Sequence, residues 1–208
     1  MSRARPPAAG RGGTRELRII GGRWRSRRLQ FLDLPGLRPT PDRVRETLYN
    51  WLQFELLDRH VLDLFAGSGA LGFEALSRGA ASLTLIEQDA RQAEQLRRVA
   101  TALEAASCQV ITADSLRWLR DAAAPAGGYG LILLDPPFHQ GLPAQALAAL
   151  AGKGWLQPGT WVYLETEQEP QALALPPGLV QHRETRAGLV RSLLLRVIDP
   201  AEDAGASA

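Results

Sequence analysis

The sequence predicts an α/β fold in which a mostly parallel sheet is covered by helices on both faces and closed at one edge by an antiparallel hairpin. Three observations carry this. From His60 onward, short apolar runs alternate with segments of helical periodicity, the pattern of consecutive βα units. Runs such as Leu131–Leu134 (LILL) have no polar alternation, as expected of strands buried on both faces. The final stretch, LVQHRETRAGLVRSLLLRVI, instead reads as two strands around Arg186, Ala187 and Gly188, a hairpin.

The elements follow in order. Residues 1–15, rich in Gly, Pro and Arg, read as a disordered basic arm. LRII, Gly21-Gly22 and RWRSRRLQF suggest two short strands with an arginine-covered face, joined by a turn or bulge. Thr40 fits a helix N-cap with Pro41 in the first turn, and Val44, Leu48, Trp51, Leu52 and Leu56 share one face of a helix expected over 41–57. Then come a strand VLDLFAG, a helix ending near Gly79, a strand SLTLIEQ, and a helix opening at Asp89 with Gln92 in capping-box spacing. CQVITAD, SLRWLRDAAA, LILL, PAQALAALAG and TWVYLETE continue the alternation, and 200–208 reads as a disordered tail. The expected organisation is therefore an arm (1–15), a hairpin-and-helix extension (16–58), a main α/β domain (59–199) and the tail.

With 208 residues, 45% of them apolar, the chain suits one globular unit with a substantial core. No apolar run approaches the length of a membrane helix, and the start lacks the apolar centre of a secretory signal. Cys108 is alone, which excludes a disulfide framework or a cysteine zinc cluster and suits a reducing, cytoplasmic setting. His60, His139 and His182 have no ligand spacing, so no metal is expected. No exposed heptad pattern asks for a dimer, and a monomer is expected. The net charge of +2 hides an asymmetry: residues 1–30 hold nine arginines and one acid, while the rest carries 15 basic against 21 acidic residues. A basic end interleaved with Leu17, Ile19, Trp24 and Leu29 points to a phosphate-bearing partner.

Two motifs lie where ligands bind in such sheets, beyond the carboxyl ends of the strands. Gly67-Ser68-Gly69-Ala70-Leu71-Gly72 matches G-x-G-x-x-G between a strand and a helix, and Glu87 ends the next strand, placed to accept from ribose hydroxyls. The pattern alone suits NAD as well as S-adenosylmethionine. Asp63 tilts the choice: a carboxylate beside the glycine turn repels a pyrophosphate but attracts the cationic ammonium and sulfonium of S-adenosylmethionine. Asp114 with Ser115 can meet an adenine amine, Asp114 also being a candidate helix N-cap. The second motif is Asp135-Pro136-Pro137-Phe138. Neither proline has an N–H, so the segment offers acceptors and almost no donors, which suits an exocyclic nucleobase amine, with Phe138 able to stack on the base. Read alone, Asp-Pro-Pro is equally a turn closing a strand.

Taken together, DLFAGSGALG, Glu87, Asp114 and DPPF resemble the ordered motifs of Rossmann-like, S-adenosylmethionine-dependent amino-methyltransferases. RIIGGRWRSRRL followed by GLRPTPDRVRETLYNWL is similar to the signature of the RsmD family, bacterial enzymes that methylate the N2 amine of one guanine, position 966, in 16S ribosomal RNA. The likeness runs from about Leu17 to Ile198, with Ser26 standing where the family hairpin has its second glycine. It implies a seven-stranded class I methyltransferase fold and S-adenosylmethionine as cofactor. Asp63, Gly67 and Gly69 would hold the methionine part, Glu87 the ribose, and Asp114 with Ser115 the adenine, with Phe65, Ala66, Ser68, Gln88 and Thr40 also lining the cofactor site. Asp135, Pro136, Pro137 and Phe138 would grip the guanine. Arg18, Arg23, Arg25, Arg27, Arg28, Arg38 and Arg43 would bind RNA, naked or within a small ribosomal subunit particle. The alternatives are an adenine-N6 methyltransferase on DNA or RNA, an NAD-linked oxidoreductase, and a methyltransferase-fold RNA-binding or assembly protein without turnover.

Overall fold

Seven strands form one sheet in the computed structural model, which describes residues 13–138 and 140–199. The expected tail, most of the expected arm and His139 lie outside the described residues. The strands are β3 (His60–Asp63), β4 (Ser82–Glu87), β5 (Cys108–Thr112), β6 (Leu131–Leu134), β7 (Trp161–Thr166), β8 (Leu179–Ala187) and β9 (Val190–Val197), in the order β5-β4-β3-β6-β7-β9-β8. The pairs among β3 to β7 are parallel, whereas β9 is antiparallel to both β7 and β8, as the sequence predicts for the terminal hairpin. Its turn falls at Gly188-Leu189, with Gly188 at φ 65°. The strand order reverses between β3 and β6, so a crevice is expected at their carboxyl ends.

Alternation along the strands sorts the core into two layers. Val61, Leu131, Leu133, Trp161 and Tyr163 face one layer, and Leu62, Ile132, Leu134, Val162 and Leu164 the other. The first layer is capped by α1 (Asp42–Trp51), α2 (Ala70–Ser77) and α3 (Ala90–Ala102), through residues such as Leu48, Phe73 and Leu96. The second is capped by α4 (Ser115–Asp121) and α5 (Leu142–Leu150), through Leu119 and Leu147. Leu131–Leu134 are at most 1% exposed, and each such side chain contributes about 1.5–3 kcal/mol of burial. By register, Asp63 lies opposite Leu133, and Leu134 opposite Leu164. Continuing this alternation past the last paired residues puts Asp63, Asp135 and Glu165 on the face shared with Leu133 and Tyr163.

The amino-terminal hairpin departs in detail from its sequence expectation. β1 begins at Thr14, inside the expected arm, and ends at Arg18; β2 covers Arg28–Leu32. Between them the chain leaves the ladder because Gly21-Gly22 lead into a 3-10 turn, Gly22–Trp24, that docks on α2. A Cβ at Gly22 would lie 1.9 Å from the Ser77 carbonyl oxygen, and its φ of 74° is the left-handed conformation only glycine adopts freely. Ser26, in the family's glycine position, also has φ 68°, a conformation that costs a side-chain-bearing residue roughly 1–2 kcal/mol. The Ser26 N–H donates to the Ile19 carbonyl at 2.9 Å.

Three further local expectations are corrected. Helix α1 stops at Trp51, not near Leu57; Leu52 closes it and the chain turns back towards β3, leaving Phe54 and Leu57 exposed while Leu56 stays buried. Thr40 is not the N-cap. Pro41 holds that position, its carbonyl accepting from Val44 and Arg45, because the Thr40 hydroxyl is engaged elsewhere. At α3 the capping box forms only in half: Asp89 accepts from the Arg91 and Gln92 N–H groups, but the Gln92 amide bridges the Gly67 carbonyl and the Leu32 N–H at 2.6 and 2.9 Å.

Candidate active site

Strand β3 ends at Asp63, and the chain continues through Leu64–Gly69 into the glycine turn that opens α2. Gly67 (φ 50°) and Gly69 (φ 77°) supply the left-handed steps; a Cβ on Gly69 would meet Phe73 and Leu96 at 2.7–2.8 Å. Ala66 N–H donates to the Ile86 carbonyl, and the buried Ser68 hydroxyl accepts from Ala70. Phe65 is half-buried against the second layer. Gly72 allows α2 to lie on the sheet, since a Cβ there would be 2.6 Å from Leu85, and its N–H donates to Asp63 Oδ2 at 3.2 Å.

Asp63 is 1% exposed and, among the described residues, its Oδ1 has no hydrogen-bond partner, leaving a buried acceptor without a donor beneath the glycine turn. Burial drives its pKa from 3.8 to about 7, the Phe65 and Gly72 N–H groups pull it down, and the nearby Glu87 pushes it up. Such a group is suited to a cationic partner, which is the fit that S-adenosylmethionine requires. Glu87 sits at the end of β4, its oxygens accepting from the Gly67 and Asp89 N–H groups at 2.9 and 2.8 Å; burial raises its pKa as well. Each oxygen keeps a second lone pair for a ligand hydroxyl. Gln88 is exposed beside it.

Asp114 is exposed and caps α4, accepting from the Arg117 N–H at 2.8 Å, which realises the structural role weighed for it from sequence. Ser115 is buried, its hydroxyl donating to the Leu64 carbonyl, so towards a ligand that hydroxyl can only accept.

Beyond β6, Asp135 keeps part of its surface open to solvent although its carboxyl is packed among protein atoms. The Thr40 hydroxyl donates to its Oδ2 at 3.1 Å. Burial raises the Asp135 pKa well above the carboxylate range, Glu165 raises it further, Thr40 lowers it and Asp63 adds a smaller upward push. Pro136 is buried, Pro137 is exposed, and Phe138 is 40% exposed beside a hollow lined by Gly141, Pro143, Thr166, Glu167 and Gln168.

Thr40 itself is held by Arg45, which is 1% exposed. Its guanidinium donates to the Thr40 carbonyl, Glu74, the Arg18 carbonyl and Asp42. Glu74, fully buried on α2, also accepts from the Ile20 and Gly21 N–H groups, both at 2.8 Å, and from Arg78. Ser77 completes this seam, donating to the Gly21 carbonyl and accepting from the Trp24 N–H. The hairpin is thereby fastened to the helix that starts at the glycine turn. Arg45, Glu74, Tyr163 and Glu165 were missed from sequence; for Glu74 and Glu165 the available signal was a charge inside an apolar segment, ALGFEALS and WVYLET.

The hairpin presents Arg18, Arg23, Arg25, Arg27 and Arg28 to solvent, with Arg38 and Arg43 exposed nearby. Arg23 stacks on Trp24 at 3.9 Å, Arg27 donates to the Ala102 carbonyl, and Arg28 and Arg18 pair with Glu16 and Asp42.

The family profile described as "Conserved hypothetical protein 95" matches residues 17–196. The chain is 44% identical over 178 residues to the Escherichia coli K12 protein named "Ribosomal RNA small subunit methyltransferase D", covering 86% of this chain and 88% of that one. It belongs to the RsmD family. A Haemophilus influenzae relative of the same name is 42% identical, with 84% of this chain and 91% of the relative covered. The structure titled "Putative methyltransferase yhhF from Escherichia coli" superimposes with a TM-score of 0.79 at 43% identity, over 88% of this chain and 98% of that one. RsmD membership agrees with the class I methyltransferase architecture, seven strands with the antiparallel carboxyl-terminal pair.

Proposed function

We propose that this chain transfers a methyl group from S-adenosylmethionine to the exocyclic N2 amine of a guanine in 16S ribosomal RNA, either naked or within a small ribosomal subunit particle. The observation that carries the reading is the acceptor corner at Asp135, beside Asp63 at the reversal point of the sheet, in a chain whose relatives are named ribosomal RNA small subunit methyltransferases. When bound, S-adenosylmethionine supplies an electrophilic methyl carbon. Asp63 and the turn at Phe65–Gly69 hold its methionine end, Glu87 with Gln88 its ribose, and Asp114 with the main chain of Ser115 its adenine. Thr40 acts on the other side of the site, orienting Asp135. Asp135 and the Pro136 carbonyl accept from the two amine hydrogens and aim the nitrogen lone pair at the methyl carbon, so that positioning supplies much of the rate. Extruding the base costs a few kcal/mol, and stacking on Phe138 returns about 1–3 kcal/mol.

Incubation with methyl-labelled S-adenosylmethionine and small-subunit particles lacking the modification tests the reading. Label is expected on guanine N2; label on adenine would replace it with the N6 alternative, and tight NAD binding with none of S-adenosylmethionine would remove the methyltransferase altogether.

The arginines of the hairpin supply phosphate contacts in this scheme. Replacing Arg23, Arg25 and Arg28 by glutamine is expected to weaken RNA binding and to flatten the slope of log K against log salt by roughly 0.7–0.9 for each phosphate no longer neutralised. Filter binding across a salt series measures it, and an unchanged slope contradicts the assignment.

Asp63 gives a second expectation. Its folded pKa of about 7 exceeds the ordinary 3.8, so the stability it contributes is present below about pH 4 and lost as the pH rises through 7. Asp63→Asn is therefore expected to raise the unfolding temperature at pH 8, the gain shrinking towards pH 5, while weakening S-adenosylmethionine binding. Thermal scans and calorimetric titration read the two effects, which should have opposite signs.

A further inference from the structure

The strand that follows β6 in the sheet carries, one residue before its end, a carboxylate that the function as proposed does not use. Glu165 is 6% exposed, on β7. Leu134 pairs with Leu164 in parallel register, so continuing that register one residue beyond β6 brings Asp135 beside Glu165, at the interstrand spacing of about 4.8 Å, with both side chains on the same face. The Thr40 hydroxyl reaches into this gap: its single proton goes to Asp135 Oδ2 at 3.1 Å or, turned the other way, to Glu165, whose pKa it then lowers. Behind Glu165, the buried Tyr163 hydroxyl donates to Glu165 Oε1 at 2.7 Å and is itself hydrogen-bonded to the buried Ser192 of β9. Thr40 is fixed from its other side by the Arg45 guanidinium on its carbonyl.

We propose that Glu165 belongs to the methyl-acceptor site: through Thr40 it forms with Asp135 a two-carboxylate proton acceptor that takes the proton shed by the target amine. This rests on Asp135 being the group that grips the amine. The nitrogen lone pair forms the N–C bond as the C–S bond breaks with its electrons to sulfur. The methylated nitrogen then keeps the electron pair of one N–H bond while that proton passes to an Asp135 oxygen. A lone exposed aspartate is a poor proton acceptor, but a second buried carboxylate alongside makes it a better one, since like charges disfavour double ionisation. Burial raises both groups, and Glu165 is the largest charge acting on Asp135. The other titratable groups facing the pair are Asp63 from β3 and Tyr163 from β7, so Glu165 is the member that can be neutralised without touching the glycine turn. A structural residue would need only shape and hydrogen bonding, both of which glutamine supplies. The proton-acceptor role requires the charge.

The test is the pH profile of single-turnover methyl transfer with both S-adenosylmethionine and the particle saturating, so that Asp63 is held ionised by its ligand. The wild-type acid limb is expected above the ordinary carboxylate range. In Glu165→Gln it should move to lower pH, with a lower plateau; in Thr40→Val, which removes the donor that stabilises ionised Asp135, it should move to higher pH. Opposite displacements from two neighbouring substitutions are not produced by loosened packing. Equal losses at every pH, or limbs that coincide with the wild type, overturn the role of Glu165. Asp135→Asn run alongside separates the two levels: if it keeps the wild-type rate, the reading of Asp135 as the acceptor fails, whereas a large loss there with unmoved limbs in the other two variants refutes only Glu165. If Glu165→Gln does not fold, Glu165→Ala takes its place with the same expectation, an acid limb displaced to lower pH, and a limb that coincides with the wild type overturns the role of Glu165.

Discussion

Asp135→Asn is expected to slow methyl transfer by about 10²–10³-fold while leaving the affinities for S-adenosylmethionine and RNA close to wild type, the loss typical of removing one preorganised polar group from a reacting centre. The substitution keeps the shape of the side chain but replaces one of its two acceptor oxygens with a donor. That donor would face either the target amine, which has only hydrogens to offer, or the Thr40 hydroxyl, which now donates to Oδ2. Neither arrangement holds the nitrogen lone pair in line. Affinity should survive because the groups proposed to hold the cofactor lie at the ends of β3 and β4, in the glycine turn and at the start of α4, and the exposed arginines lie on the hairpin and near the start of α1, none of them hydrogen-bonded to Asp135. Single-turnover kinetics with parallel calorimetric and filter-binding titrations give the three numbers. A rate within tenfold of wild type would overturn Asp135 as the group that grips the amine, whereas an absence of turnover in the wild type as well would favour an RNA-binding or assembly protein.

The acceptor corner was legible because its signals are local. An unbroken apolar run can only be a strand covered on both sides, and two prolines fix where it stops; β6 ends at Leu134 accordingly. The glycine turn and Glu87 were legible for the same reason, since 20 residues of spacing suffice to place a carboxylate one strand over, where its oxygen meets the Gly67 N–H. What failed involved competition between a local partner and a distant one. Thr40 has the sequence of an N-cap, yet its hydroxyl bonds to a carboxylate 95 positions away, and the helix does without a side-chain cap. Gln92 has capping-box spacing, yet its amide spans the carbonyl of the glycine turn and the N–H of β2. Short polar side chains satisfy nearby backbone in an isolated peptide, but a fold that brings an uncompensated buried acceptor within reach makes the long-range bond the better one. The glycine turn and the end of β4 were therefore placed from sequence, while the ties that hold them to the rest of the chain were not.

Glu74 is the plainest of those ties, and Glu74→Ala is expected to be the most destabilising single change, by about 3–5 kcal/mol. It is fully buried and takes four donors, two guanidinium groups and two backbone N–H groups. Removal leaves Arg45, 1% exposed, with only Asp42 as counter-charge, and leaves the Ile20 and Gly21 N–H groups without an acceptor. Against a typical total stability of 5–15 kcal/mol this is a large share, and at roughly 2–4 °C per kcal/mol for a chain of this size it corresponds to a fall of about 6–20 °C in Tm. The double variant Arg45→Met with Glu74→Leu separates the contributions. It removes the unpaired charge but not the two orphaned N–H groups, so it should recover part of the loss and remain below wild type by about 1–3 kcal/mol for each N–H that stays dry. Full recovery would mean that the hairpin's attachment rests on apolar packing of Ile19 and Trp24 alone. Partial recovery would mean that the carboxylate also fastens the arginine-bearing hairpin, and that variant should then lose RNA affinity although every exposed arginine is still present.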